Sequence, residues 1–326
     1  MRLKILQLAM AVSIGLFAAS SPVRADGGYI FKTIDVPGAQ AGTTDVSAIN
    51  NRDEVAGSYV DASGVSHGYL YLNGHYTRFD VPGATSTRLS GVNDFGQLVG
   101  TYVRGGTLHG FLDTRSGIQT TPSPFLPLAI NDLGRVLGLG DITTKYYSYW
   151  NGILTPVTIK GSVITGDTSL YGLNNIGQYA GSSGGLSRQY GIIVTNGVIS
   201  TTITLSGYTF VHAINDRGQA VGYYDAPASG QTYSLRNGFL YENGAATTFD
   251  EPGAGQTWLT GINDRGDIIG AGFPLPGVFG NSQAFLAVPD PPAAPEPSTW
   301  AMMALGFAGL GLMGSRGSRA RPAQAG

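Results

Sequence analysis

The sequence predicts an all-β protein: a six-bladed β-propeller of four-stranded antiparallel blades, closed by an N-terminal strand that completes the last blade. Three observations predict it. Gly and Pro make up 67 of 326 residues, which punctuates the chain too often for long helices. One turn motif recurs six times. A strand pattern stands before the first motif, and the last unit lacks that same strand.

The motif is an apolar residue, Asn, Asn or Asp, any residue, Gly, three residues, Gly. Its invariant asparagines are Asn50, Asn93, Asn131, Asn174, Asn215 and Asn263, spaced by 43, 38, 43, 41 and 48 residues. Only the first copy departs, with Asp53 in the place of the first Gly. Asp tolerates a left-handed backbone better than most residues, so the turn survives there.

Each unit reads as a four-stranded meander. Strand one ends at the Asn, and the Asn-Asp-x-Gly turn leads into strand two, as in Gln97–Tyr102. Strand three is apolar and aromatic, as in Gly68-Tyr69-Leu70-Tyr71 or Gly238-Phe239-Leu240-Tyr241. Asn73-Gly74, Ser116-Gly117, Asn151-Gly152, Asn196-Gly197 and Asn243-Gly244 then give hairpins, since both turn residues need positive φ. Strand four runs to turns such as Pro82-Gly83 and Pro252-Gly253. A unit of this size cannot bury both faces of its own sheet, so neighbours must stack. Six such units suit a propeller.

Tyr29–Asp35, followed by Val36-Pro37-Gly38, repeats the fourth-strand pattern but precedes the first motif. The sixth unit stops after its third strand at Phe285–Val288. The two ends therefore complete one blade, and closure covers edges that an open array would expose.

The termini read as addresses. Arg2 and Lys4, the apolar run Ile5–Ala19 and the small-x-small finish Val23-Arg24-Ala25 describe a secretory signal peptide over 1–25. The propeller spans 26–289, a Pro-rich linker 290–297 and a C-terminal segment 298–326. The last part holds an apolar run, Ala301–Gly314, and closes with Arg316, Arg319 and Arg321. Fourteen residues rise only about 21 Å as a helix, less than a ~30 Å hydrocarbon core, which suits a transient membrane contact.

Pro295, Glu296 and Pro297, then the apolar run and the Arg cluster, resemble the PEP-CTERM sorting signal of Gram-negative bacteria. The resemblance implies an exosortase-type processing enzyme as partner, and a cell-surface or extracellular destination after C-terminal processing. The repeats, through His67-Gly68-Tyr69-Leu70, His109-Gly110-Phe111-Leu112 and Gln283-Ala284-Phe285-Leu286, also resemble HAF repeats. That implies an extracellular β-propeller-like body and no established activity. Units three and four depart from the HAF pattern, with Lys145-Tyr146-Tyr147 and Gln189-Tyr190-Gly191.

Composition and motifs narrow the chemistry. The chain has no Cys, so disulfides, thiolate metal sites and Cys nucleophiles are excluded. Residues 26–295 keep 13 Lys and Arg against 20 Asp and Glu, a net of −7, which excludes a nucleic-acid partner. The Asn-Asp pairs lack the acid spacing of an EF-type loop and read as structural turns, with individual weak Ca²⁺ sites left open. His67, His75, His109 and His212 show no zinc-hydrolase spacing. Gly181-Ser182-Ser183-Gly184-Gly185 matches G-x-S-x-G, but in a strand context without the following helix that pattern needs. Tyr71, Tyr102, Tyr149, Trp150, Tyr223, Tyr224, Tyr241 and Trp258 suit either an inter-blade core or sugar stacking.

The sequence thus predicts a non-enzymatic, surface-sorted propeller without cofactor or metal. Its expected role is adhesion or organisation in the extracellular matrix, with exopolysaccharide as a partner. The rival expectations are a secreted propeller enzyme acting on glycans and a protein-binding scaffold.

Overall fold

The computed structural model describes residues 23–25, 28–140, 146–160, 167–185, 188–227, 234–275 and 281–291. The chain divides into two compact units, Met1–Pro289 and Asp290–Gly326. Residues 1–22 of the signal segment and the Pro295, Glu296, Pro297 motif lie outside the described residues.

The first unit is a six-bladed propeller, and among the described residues it contains no helix. Blade 1 consists of Asp45–Ile49, Val55–Val60, Ser66–Leu72 and His75–Phe79. Blade 2 consists of Ser86–Val92, Leu98–Arg104, Thr107–Thr114 and Gly117–Thr120. Blades 3, 4 and 5 repeat the meander from Leu126–Ile130, Asp167–Leu173 and Thr209–Ile214.

Blade 6 holds Gln256–Ile262, Ile268–Phe273 and Gln283–Pro289, and Tyr29–Ile34 supplies its fourth strand. That strand pairs antiparallel over six residues, from Tyr29 opposite Pro289 to Ile34 opposite Ala284. Val23–Ala25 adds a short fifth strand outside it.

The sequence turns account for the meander. Asn73, Asn151, Asn196 and Asn243 take φ of 49°, 50°, 53° and 51°, each followed by a positive-φ Gly, as a type I′ hairpin requires. Ser116 differs: only Gly117 is left-handed there. Asp53 replaces the motif Gly with φ 66°, so the first turn keeps its shape.

The second motif Gly has a packing reason. In every blade it lies opposite a large residue of strand three: Tyr69, Phe111, Tyr147, Ile192, Phe239 or Phe285. A Cβ at Gly100 would stand 2.9 Å from the Phe111 ring and would collide with the Arg88 carbonyl.

The core lies between blades. Six apolar clusters each bridge two consecutive sheets. One joins Val46, Val55 and Tyr69 of blade 1 to Ile269 and Leu286 of blade 6, so the stack has no terminal blade with a bare face.

Candidate functional site

The ring has two ends. The Asn-containing turns and the hairpins between strands three and four share one end, here the turn face. The loops between strands two and three and the Pro-Gly turns share the other, the loop face.

On the turn face the six asparagines form a closed hydrogen-bond circuit. Nδ2 of Asn50 donates to the Asn93 carbonyl at 3.0 Å, Asn93 to Asn131 at 3.0 Å, and Asn131 to Asn174 at 3.0 Å. Asn174 donates to Asn215 at 3.0 Å, Asn215 to Asn263 at 2.9 Å, and Asn263 back to Asn50 at 3.1 Å. Each Oδ1 meanwhile accepts backbone N–H groups of its own turn, as from Phe95 and Gln97 onto Asn93. In five blades the second amide proton meets the side chain four residues on: Glu54, Gln97, Gln178, Gln219 or Asp267. Blade 3 has Arg135 there. Its guanidinium reaches Ser148 Oγ and lies over the Trp150 ring instead.

A second circuit stands beside the first. The backbone N–H of each next residue donates to the side-chain Oδ1 of its neighbour, in the order Asn51, Asp94, Asp132, Asn175, Asp216, Asp264 and back to Asn51, at 2.7–2.8 Å. Asn51 and Asn175 face each other across the ring. The Asn51 amide bridges Asp94 and Asp264; the Asn175 amide bridges Asp132 and Asp216. Both oxygens of all four aspartates therefore accept hydrogen bonds. Burial, the largest influence, still raises the Asp132 carboxyl above its usual range. The opening inside this double ring is only about 80 Å³.

Beneath it Ile49, Val92, Ile130, Leu173, Ile214 and Ile262 close an apolar collar. Every inner strand then carries a bulge at the same place, for example between Val46 and Ala48 or Val211 and Ala213. A bulge re-aims its extra residue. Ser47, Ser90, Leu128, Tyr171, His212 and Thr260 consequently line the neck of the channel. Burial there lowers His212 to about 4. Ser90 and Thr260 tie their blades to the next through the Pro127 and Val46 carbonyls.

Towards the loop face, blades 5 and 6 carry a row of half-buried aromatics. Phe210 stacks on Tyr223, Tyr223 on Trp258 at 5.2 Å, and Trp258 meets Phe273 at 4.9 Å. The Arg236 guanidinium lies 4.5 Å from the Trp258 ring and pairs with Asp225 at 3.4 Å.

The turn face also opens two grooves on either side of Leu133. One of about 680 Å³ lies between blades 2 and 3, and one of about 470 Å³ between blades 3 and 4.

The other sequence candidates fall into place. Tyr71, Tyr102 and Tyr224 are buried core residues, and Trp150 is exposed. Buried His67 lies between two carboxylates, with Nδ1 3.0 Å from Asp80 and Nε2 3.2 Å from Asp61. His109 stacks on Tyr102. Ser183 is buried in the middle of strand Tyr179–Gly185 and bonds Thr168 Oγ1 at 2.9 Å, so it does not stand on a nucleophile elbow. Among the described residues no group of three His, Cys, Asp or Glu has the arrangement of a metal site.

Residues 293–320 match the PEP-CTERM protein-sorting motif. The chain carries an export and surface-sorting signal. No curated protein matches it in sequence. Solved propellers resemble it in shape. Virginiamycin B lyase from Staphylococcus aureus is 11% identical, with 80% of this chain and 99% of that one covered and a TM-score of 0.43. The β-propeller domain of the Trilobed protease from Pyrococcus furiosus, described as having an open velcro topology, is 10% identical, with 75% and 95% covered and a TM-score of 0.45. The Aleuria aurantia lectin in complex with Fucα1-6GlcNAc is 12% identical, with 78% and 100% covered and a TM-score of 0.44.

Proposed function

We propose that this surface-sorted propeller is a non-enzymatic adhesion or organising module of the extracellular polysaccharide matrix. The HAF-type reading of its repeats agrees with that role. The observation that carries it is the aromatic row of blades 5 and 6, where Tyr223 and Trp258 are half-exposed beside Arg236 and Asp225. Sites that hold small ligands combine aromatic surface with a few placed polar groups. Ring faces and edges suit the C–H faces of pyranoses, and the guanidinium and carboxylate suit their hydroxyls.

The acids of the turn face support the non-enzymatic side of the reading. A carboxylate pair acting on glycosides needs one group free to protonate and one free to attack or activate water. Asp94, Asp132, Asp216 and Asp264 instead have both oxygens engaged by neighbouring N–H groups.

Residues 26–295 would be tested for retention on polysaccharide fractions of the matrix. Retention is expected, with Trp258→Leu and Arg236→Gln each weakening it about tenfold while the melting curve confirms the fold. Failure to bind any fraction, or equal binding by both variants, would remove the reading.

A further inference from the structure

The residue at the tip of each Asn turn is solvent-facing, and its identity follows position around the ring. Blades 5, 6 and 1 place Arg217, Arg265 and Arg52 there. Blades 2, 3 and 4 place Phe95, Leu133 and Ile176, which are 59%, 61% and 64% exposed. The outer hairpins repeat the division. The residue after the hairpin Gly is Ile118, Ile153 or Val198 in blades 2, 3 and 4, with exposures of 36%, 67% and 48%. The same place holds His75 in blade 1 and Ala245 in blade 5. Six large apolar side chains thus form an arc over three consecutive blades of one face. Folding does not require large apolar side chains at the turn tips, because arginine occupies the equivalent places in the other half of the ring. Large exposed apolar side chains gathered on one half of a face mark a surface that meets something.

Where the chain leaves the propeller indicates what it meets. Strand Gln283–Pro289 runs towards the turn face, and Pro289 ends beside the blade 6 turn, 3.6 Å from where a Cβ on Gly266 would lie. Blade 6 is opposite blade 3, the centre of the apolar arc. Ten residues separate Pro289 from Trp300, which borders the apolar run Ala301–Gly314. Even fully extended, the stretch from Pro289 to Trp300 reaches at most about 40 Å. A chain held in a bilayer by that run keeps the propeller near lipid, with its point of departure on the turn face.

We propose that the apolar arc of blades 2–4 docks on the lipid bilayer surface. The six side chains enter the boundary between headgroups and acyl chains, while the turn tips of blades 5 and 1 stay in the headgroup layer through the long stems of Arg217 and Arg52. The Arg265 guanidinium is held on the propeller by Asp53, Asp267 and the Asn51 carbonyl. The inference does not rest on matrix binding, which uses the opposite face.

The propeller unit ending at Pro289 suits the test, because among the described residues all strands and both hydrogen-bond circuits precede Asp290. It would be sedimented with phosphatidylcholine vesicles. The unit should co-sediment, and the triple variant Phe95→Gln, Leu133→Gln, Ile176→Gln should lose about tenfold or more in vesicle-bound fraction. Arg52→Gln with Arg217→Gln should change it less than about twofold. The chain has no native cysteine, so Leu133→Cys can carry a polarity-sensitive dye in the full chain. Its emission should shift to the blue on adding vesicles and be quenched by spin-labelled lipid. Unchanged binding by the triple variant would overturn the proposal, as would no vesicle binding by the unit. A blue shift without vesicles that grows with protein concentration would assign the arc to a second copy and overturn it equally.

Discussion

At the scale of the residue, the carboxamide of the motif Asn is irreplaceable because it donates and accepts together. Asn93 is 2% exposed and directs Nδ2 at two oxygens, the Asn131 carbonyl and Gln97 Oε1, while Oδ1 receives two backbone N–H groups. An aspartate there keeps the acceptor and turns the donor into a buried charge facing two oxygens. Asn93→Asp is expected to cost about 3 kcal/mol at neutral pH, a fall of roughly 6–12 °C in a thermal melt. The sequence showed that all six positions are Asn, and the reading as self-bonded turns was half of the answer. The other half, the bond to the next blade, was hidden because it spans about forty residues. One signal pointed to it: a turn that bonds only itself accepts Asp or Ser as well, yet none of the six copies uses them.

Glu251 is a second residue-scale case. Its repeat equivalents are the buried Val36 and Val81. Those valines share apolar clusters with Tyr59 and Tyr102, whereas blade 6 has Gly272 in the tyrosine position. The carboxyl occupies the space a Cβ at Gly272 would need, and burial pushes it up to about 7. A carboxyl raised in this way stabilises the fold below its unfolded pKa of about 4.3. That contribution fades as pH rises through about 7. Glu251→Gln should therefore match the native chain near pH 5 and exceed it near pH 8.5. The gain is about 1–2 kcal/mol after allowance for partial exposure to water. Melts across that range check it, and parallel curves for the two proteins would contradict it.

At the scale of the element, each blade is a meander in which strand two gives way to strand three. The motif Gly is the place where it does so. Gly100→Ala drives a methyl against the Arg88 carbonyl and the Phe111 ring and should cost about 3 kcal/mol in denaturant unfolding. Gly96→Ala meets only the Arg52 guanidinium at 3.5 Å, so its cost is the left-handed backbone alone, about 1 kcal/mol. Strand order and hairpins were legible, because positive-φ turn residues leave a plain mark in the sequence. The bulges were not. Ser47, Leu128 and Tyr171 have nothing chemical in common, and only the register shift reveals that the same backbone position turns each into the channel.

At the scale of the whole molecule, closure is a matter of which ends meet. The orphan strand at Tyr29 and the short last unit were both visible in the repeat pattern. The division of the turn face into an apolar and an arginine half was not visible, since a turn-tip residue has no neighbours until the blades are set in a circle. Two circuits of hydrogen bonds, six inter-blade clusters and one shared sheet then close the ring without a covalent link.

The most direct test uses a disulfide in this cysteine-free chain. Ile30 and Val288 are directly opposed in the closing pair, within the Cα separation a disulfide accepts. The double variant Ile30→Cys, Val288→Cys should oxidise to an intramolecular cross-link in nearly every molecule and melt at a higher temperature than its reduced form. Thiols that stay free, or that join only two separate chains, would contradict a ring closed by its own N-terminal strand.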